Sequence, residues 1–182
     1  PMFGRVYSAA VILPKKDDFK YELLKDSKKF SSKKKILEVA NYIKENSIAW
    51  AVGYEDENCI DSKNIKNATH LAMHKAINII INKNSKDATT NLCNQYYLLV
   101  DGNNFKPYTY LNSQSSMIEQ INHILIEGGD NKYCSIAAAS ILAKVERDKY
   151  IDELCETYPK LDEYYGLKKN KGYGTSKHME GI

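Results

Sequence analysis

Gly128-Gly129-Asp130-Asn131-Lys132-Tyr133-Cys134-Ser135-Ile136-Ala137-Ala138-Ala139-Ser140-Ile141-Leu142-Ala143-Lys144-Val145-Glu146-Arg147-Asp148 joins a carboxylate in a glycine turn to a helix built largely of small residues. Upstream, Tyr96-Tyr97-Leu98-Leu99-Val100-Asp101-Gly102-Asn103 puts a second carboxylate at the end of an apolar strand, where a sheet presents it to a cleft. Two aspartates converging from a strand end and a loop suggest a divalent-metal site. In a lysine-rich chain such a site suggests phosphodiester chemistry.

With 182 residues, 43% of them hydrophobic, the chain suits one globular domain that can bury a real core. Charged residues are 27% of it and the net charge is only +3, so basic character that serves a polyanion has to be local. Of its 26 basic residues only Arg5 and Arg147 are arginines, so lysine carries nearly all the positive charge and offers point contacts rather than bidentate forks. Cys59, Cys93, Cys134 and Cys155 are far apart in sequence and form no zinc spacing, which predicts reduced thiols in an intracellular, cytoplasmic protein, a nuclear or viral setting staying open. No run approaches the roughly 18 apolar residues of a membrane span.

The apolar, β-branched run 6–13, closed by Pro14, predicts a buried strand. Ser31 or Ser32 can cap a helix that carries Ile36, Leu37, Val39, Ala40 and Ile43 on one stripe. A second strand is predicted over 48–54, a helix over 64–82, a polar loop over 84–94, strands over 96–100 and 123–127, and a long helix over 135–157 that Pro159 ends. Strands interleaved with helices indicate an α/β domain, a mixed sheet flanked by helices.

The chain resembles the type 2 ribonucleases H, the ribonuclease HII family, nearly end to end. The resemblance rests on Ser8-Ala9-Ala10-Val11-Ile12-Leu13-Pro14; Leu24-Lys25-Asp26-Ser27-Lys28-Lys29; Asn64-Ile65 with Ala68-Thr69 and Leu71-Ala72-Met73; Val100-Asp101-Gly102-Asn103; the run from Ser135 to Asp148; and Lys171-Gly172-Tyr173-Gly174-Thr175 with His178. It implies a ribonuclease H-like fold and an endonuclease that hydrolyses the RNA strand of RNA–DNA hybrids, including single ribonucleotides embedded in duplex DNA. It implies two divalent ions, Mg²⁺ or Mn²⁺, with Asp101 and Asp130 as two of the carboxylates that hold them, hence catalytic.

By the same resemblance Tyr173 stacks on the sugar at the junction where ribonucleotide meets deoxyribonucleotide, within the basic, glycine-flanked segment of Lys171 and Gly172. From the residues themselves, Lys28 is a candidate phosphate contact with Ser27 as hydroxyl donor, and Lys144 shares a helix face with Arg147 that can approach the site. Each has a plainer reading. Asp-Gly is a common turn former, Lys28 and Lys144 can simply be solvated, and the alanine run serves close helix packing before it serves catalysis. Asp148 reads as the ion-pair partner of a neighbouring lysine, and the histidine pair His70 and His74 as surface or interface residues.

Family members open with a strand ending Asp-Glu, then Gly-Arg-Gly and a proline that Pro1 matches. A single domain over 1–182, incomplete at both ends and lacking its opening central strand, is therefore expected. Unpaired groups in such a core, at about 1–3 kcal/mol each, predict an unstable chain when these residues stand alone. The second reading is a non-catalytic hybrid-binding or vestigial module without half of its metal site. The expected partner is an RNA–DNA hybrid or ribonucleotide-containing duplex, bound by a monomer with no membrane association.

Overall fold

The computed structural model describes residues 3–24, 27–84 and 92–182. Pro1, Lys25, Asp26 and most of the polar loop expected over 84–94 lie outside the described residues. The elements in order are β1 (Val6–Ile12), α1 (Lys33–Asn46), β2 (Ala49–Glu55), α2 (Glu57–Asn84), α3 (Leu92–Gln95), β3 (Tyr97–Asp101), β4 (Thr109–Asn112), β5 (Met117–Gln120) and β6 (Asn122–Ile126). There follow α4 (Cys134–Thr157), α5 (Lys160–Tyr165), α6 (Leu167–Asn170) and α7 (Ser176–Glu180).

β1 and β2 form an antiparallel ladder in which Ala10 faces Ala51 and Ser8 faces Gly53. Alternate side chains of the pair serve two layers, as the two-residue period of a strand requires. Ala9, Val11, Trp50 and Val52 pack with Ile36, Val39 and Ile43 of α1 and with Ala137, Ala138 and Ile141 of α4. Ala10, Ile12 and Ala49, together with Ala51, pack on Ala76 and Ile80 of α2. A strand covered on both faces reads as an unbroken apolar run rather than an alternating one, which is why residues 6–13 look as they do.

Local chemistry starts and breaks the helices. Ser32 caps α1, its hydroxyl accepting the Lys35 N–H at 3.2 Å. α2 breaks at Asn64, which takes φ 65° and ψ 162° inside it, so the arm over 65–84 is the helix expected from sequence and the arm over 57–63 adds about two turns before it. Ala68, Ala72 and Ala76, all fully buried, lie four residues apart on the second arm. They bring it against Gly53 of β2, where a Cβ would fall 2.2 Å from the Ala72 carbonyl oxygen and 2.9 Å from the Ala76 nitrogen. Gly53→Ala is expected to lower stability by about 3 kcal/mol, a fall in Tm of about 6–12 °C. Thermal unfolding followed by circular dichroism reads it, and an unchanged Tm would mean that strand and helix are not in backbone contact.

The α/β class with helices flanking sheets is found. The mixed sheet expected in one piece is instead divided among the described residues: β1 with β2, β3 parallel with β6, and β4 with β5 in a hairpin. A cleft of about 690 Å³ separates β1 from β3, lined by both strands, by Met73 and Ile77 of α2, and by Ser135, Ala139 and Ala143 of α4. Among the described residues no ladder hydrogen bonds cross it. Along β3, Leu98 and Val100 join the core beside α2, while Tyr97, Leu99 and Asp101 are exposed. This alternation puts Asp101 on the open face.

Candidate active site

Asp101 ends β3, and the parallel register pairs it with Ile126 at the end of β6. The Gly102 N–H donates to the Ile126 carbonyl at 3.0 Å, so both strands finish at one level. Beyond Ile126 the chain turns through Gly128, whose φ of 63° lies in the left-handed region that a glycine adopts without strain. It then enters a short 3-10 turn over Gly129–Asn131. The Gly129 N–H donates to the Asp101 carboxylate at 2.8 Å. A Cβ at Gly129 would stand 3.2 Å from that oxygen and 2.6 Å from the Ile136 side chain, so glycine is what permits the approach. Asp101, the first carboxylate singled out from sequence, lines the cleft and is tied to Gly129, the residue before the second, Asp130.

Asp130 accepts a hydrogen bond from the Asn131 amide at 3.0 Å. The other end of that amide accepts from the Lys29 ammonium, which bridges in from the 3-10 turn over Ser27–Lys29. Lys29 is the site residue that sequence reasoning missed. The Lys28-Lys29 pair is visible in the sequence, but nothing local distinguishes which lysine turns toward a carboxamide 102 positions away. Lys28 is exposed. Ser27 is buried, its hydroxyl 3.0 Å from that of Ser140, and so ties this turn to α4.

The other predicted contacts are distributed as follows. Lys144 pairs with Asp148 at 3.1 Å, the partner expected for that aspartate. The Lys171 ammonium pairs with Asp152, which also receives Lys33. Burial tends to raise the Asp152 carboxyl, but the hydrogen bonds and charges of these two lysines outweigh it and hold the pKa below the ordinary aspartate value. Gly172, at φ 76°, is buried where a Cβ would meet Phe3 at 3.0 Å and the Arg147 guanidinium at 3.2 Å. Tyr173 follows it and is 53% exposed.

Arg147 holds that segment in place. From α4 it donates to the Lys171 carbonyl at 2.6 Å and to the Phe3 carbonyl at 3.0 Å, joining the Tyr173 loop to the start of the described chain. Arg5 is likewise committed internally, its guanidinium 4.6 Å from the Tyr54 ring and 4.7 Å from the Tyr150 ring. With both arginines engaged, surface contacts to a polyanion fall to lysine.

For a divalent ion, Asp101 and Asp130 are donors of the right kind, hard carboxylate oxygens. Among the described residues no group of three or more His, Cys, Asp or Glu gathers. Two carboxylates suit Mg²⁺, which keeps several waters and completes its shell with substrate phosphate oxygens rather than with an all-protein cage. All four cysteines are free, as expected. No helix among the described residues is long and apolar enough to cross a membrane.

The family model for ribonuclease HII matches residues 1–182. The ribonuclease HII of Bacteroides thetaiotaomicron is 42% identical over 179 residues, which cover 98% of this chain and 76% of that protein. For the ribonuclease HII of Parabacteroides distasonis the identity is 43% over the same shares. Among solved structures, the ribonuclease H2 of Pyrococcus horikoshii aligns with a TM-score of 0.57 over 97% of this chain and 96% of its own, at 17% identity. The PCNA:RNase HII complex of Archaeoglobus fulgidus aligns at 0.57 over 86% and 72%, at 23% identity. At such identities the structural likeness speaks for the fold, and the family match with the closer relatives speaks for descent: this chain belongs to the ribonuclease HII family.

Proposed function

We propose that this protein is an endonuclease that hydrolyses the RNA strand of RNA–DNA hybrids, including a single ribonucleotide embedded in duplex DNA, with two divalent ions, Mg²⁺ or Mn²⁺, held in part by Asp101 and Asp130. The observation that supports the reading is the Gly129 N–H bound to the Asp101 carboxylate, which ties the residue before Asp130 to Asp101 at the end of β3. Membership in the family sets the reaction class, that of a ribonuclease H hydrolase.

When bound, the ions polarise the scissile phosphate and a water that attacks it. The chain supplies the rest. Asp101 keeps its orientation through Gly129, and Asp130 keeps its own through Asn131 and Lys29. Tyr173, held out from α4 by Arg147 and Gly172, offers an exposed ring to a sugar at the ribonucleotide junction. The 2′-hydroxyl is the group that separates RNA from DNA at such a junction. Lys28 and Lys144 stand for phosphate contacts, with Lys171 supporting the Tyr173 segment through Asp152 and Ser27 supporting Lys28 through Ser140.

We infer that residues 1–182 belong to a single catalytic domain of a monomer that works in the cytoplasm, where DNA replication and repair leave ribonucleotides to remove; the free thiols suit that reducing interior. The test is cleavage of a DNA duplex carrying one ribonucleotide, with Mg²⁺ and then Mn²⁺. Incision on the 5′ side of the ribonucleotide is expected. Binding without incision would return the non-catalytic reading in its place.

A further inference from the structure

A second cavity, of about 680 Å³, opens on the flank of α2 away from the cleft. Its walls include Lys63, Asn64, Asn67, His70 and His74 of α2, with Lys106 from the loop that follows Asp101. Thr69 and Met73 line the active-site cleft while His70 and His74 line this cavity, so one helix forms a wall of both. Likewise Phe105 reaches the cleft and Lys106 the cavity. The two histidines, expected as surface or interface residues, pack edge-on against Phe105, with ring centroids 6.2 Å and 5.4 Å away.

The charge here is directional. The break at Asn64 begins a fresh helix over 65–84, and the Asn64 side chain caps it by accepting the Asn67 N–H at 3.1 Å. The positive end of that helix therefore points into the cavity beside the exposed Lys63 and Lys106. Asp61 is the one acidic residue in the lining. His74 is already committed, 2.7 Å from the Lys106 carbonyl oxygen, and burial, chiefly, lowers its pKa, so at neutral pH it adds a polar surface and no charge.

His70 is different: only 7% exposed, it lines the cavity with no hydrogen-bond partner among the described residues. The residue is buried as a whole, yet its ring nitrogens are not among the buried atoms left without a partner, so they face whatever enters the cavity. We propose that this cavity is a phosphate subsite, in which His70, Lys63, Lys106 and the α2 helix end hold a backbone phosphate of the nucleic-acid duplex away from the phosphate being cleaved. The inference rests on the nucleic-acid substrate proposed above and adds a second anchoring point to it. Because such a contact reads no base, it sets the position of the duplex and not its sequence.

The experiment uses the full-length protein in metal-free buffer with EDTA, so that cleavage plays no part. Equilibrium binding is measured against salt for a duplex carrying one ribonucleotide and for an all-DNA duplex, comparing wild type with Lys63→Gln/Lys106→Gln, a change confined to exposed side chains. Affinity is expected to fall about tenfold for both duplexes, and the slope of log K against log salt by about 1. In parallel, the His70 ring resonances, assigned by their loss in His70→Phe, are expected to shift with inorganic phosphate and not with chloride at equal ionic strength.

An unchanged affinity and slope in the double variant, or an unmoved His70 resonance, overturns the subsite. A shift with inorganic phosphate but no loss of duplex affinity overturns its assignment to the backbone and makes it a site for free anion. Failure to incise, with these binding effects present, counts against the catalytic reading alone.

Discussion

Asp101→Asn in the full-length protein is expected to lower the single-turnover rate of ribonucleotide incision by at least about 10³-fold while leaving hybrid affinity within a few-fold of wild type, and Asp130→Asn to do the same. The geometry separates charge from structure. The Asp101 side chain accepts the Gly129 N–H at 2.8 Å, and a carboxamide oxygen in its place still can. The strand-end arrangement survives, and what is lost is one negative oxygen available to a divalent cation. The same holds at Asp130, whose neighbour Asn131 donates to it at 3.0 Å. Circular dichroism and hybrid binding report whether the fold is intact, and rapid-quench cleavage reports the chemistry. Turnover retained in either variant would remove that residue from the mechanism.

Arg147→Met is expected to cost about 3 kcal/mol, a fall in Tm of about 6–12 °C, and to weaken discrimination between ribonucleotide-containing and all-DNA duplexes. Arg147 is 8% exposed and donates to the carbonyls of Lys171 and Phe3, segments 168 positions apart, so methionine fills the volume and leaves both acceptors without their donor. Burial lowers the pKa of this guanidinium, but from so high a starting value that it stays charged. Its loss therefore removes a charge-assisted pair of bonds. The Gly172 backbone, against which the guanidinium packs, loses the contact that sets where Tyr173 emerges. Arg147→Lys keeps the charge without the fork and should recover part of the stability and little of the discrimination. Wild-type stability with wild-type discrimination in Arg147→Met would show that the Tyr173 loop holds itself.

Much of this arrangement is legible along the chain because its causes are local. The run 6–13 is apolar on both faces because α2 covers one and α1 with α4 the other. Ser32 announces α1 by the same hydroxyl that caps it. Asp101 and Asp130 stand out because each follows or precedes glycine at an element's end, where the backbone must turn. The β4–β5 hairpin escaped notice for the complementary reason: its turn passes through Ser116 at φ 56°, a position where glycine or asparagine would have signalled it.

What could not be read was the destination of the cations. Lys28, Lys144 and Lys171 are equivalent as residue types, yet Lys171 lies against Asp152, Lys144 against Asp148, and Lys29 rather than Lys28 reaches the Asp130 turn. Side chains of this length sample many positions, and the choice among them is made by carboxylates and amides that the fold brings from far along the chain. His70 shows the same limit from the other side. Its spacing from His74 predicts a shared helix face, but whether that face is wet, packed or open to an anion depends on where the loop with Phe105 and Lys106 comes to rest.

By itself, then, the sequence determined the alternation of strands and helices, the family, and the two aspartates proposed to carry the chemistry, since periodicity, capping and glycine turns act over a few residues. Only the tertiary structure decided which carboxylates and amides the basic groups meet, that Arg147 ties the Lys171–Tyr173 segment to Phe3, and that the Gly129 N–H reaches the Asp101 carboxylate. Those outcomes rest on hydrogen bonds and packing between residues many positions apart, whose energies exist only once the chain has closed around them.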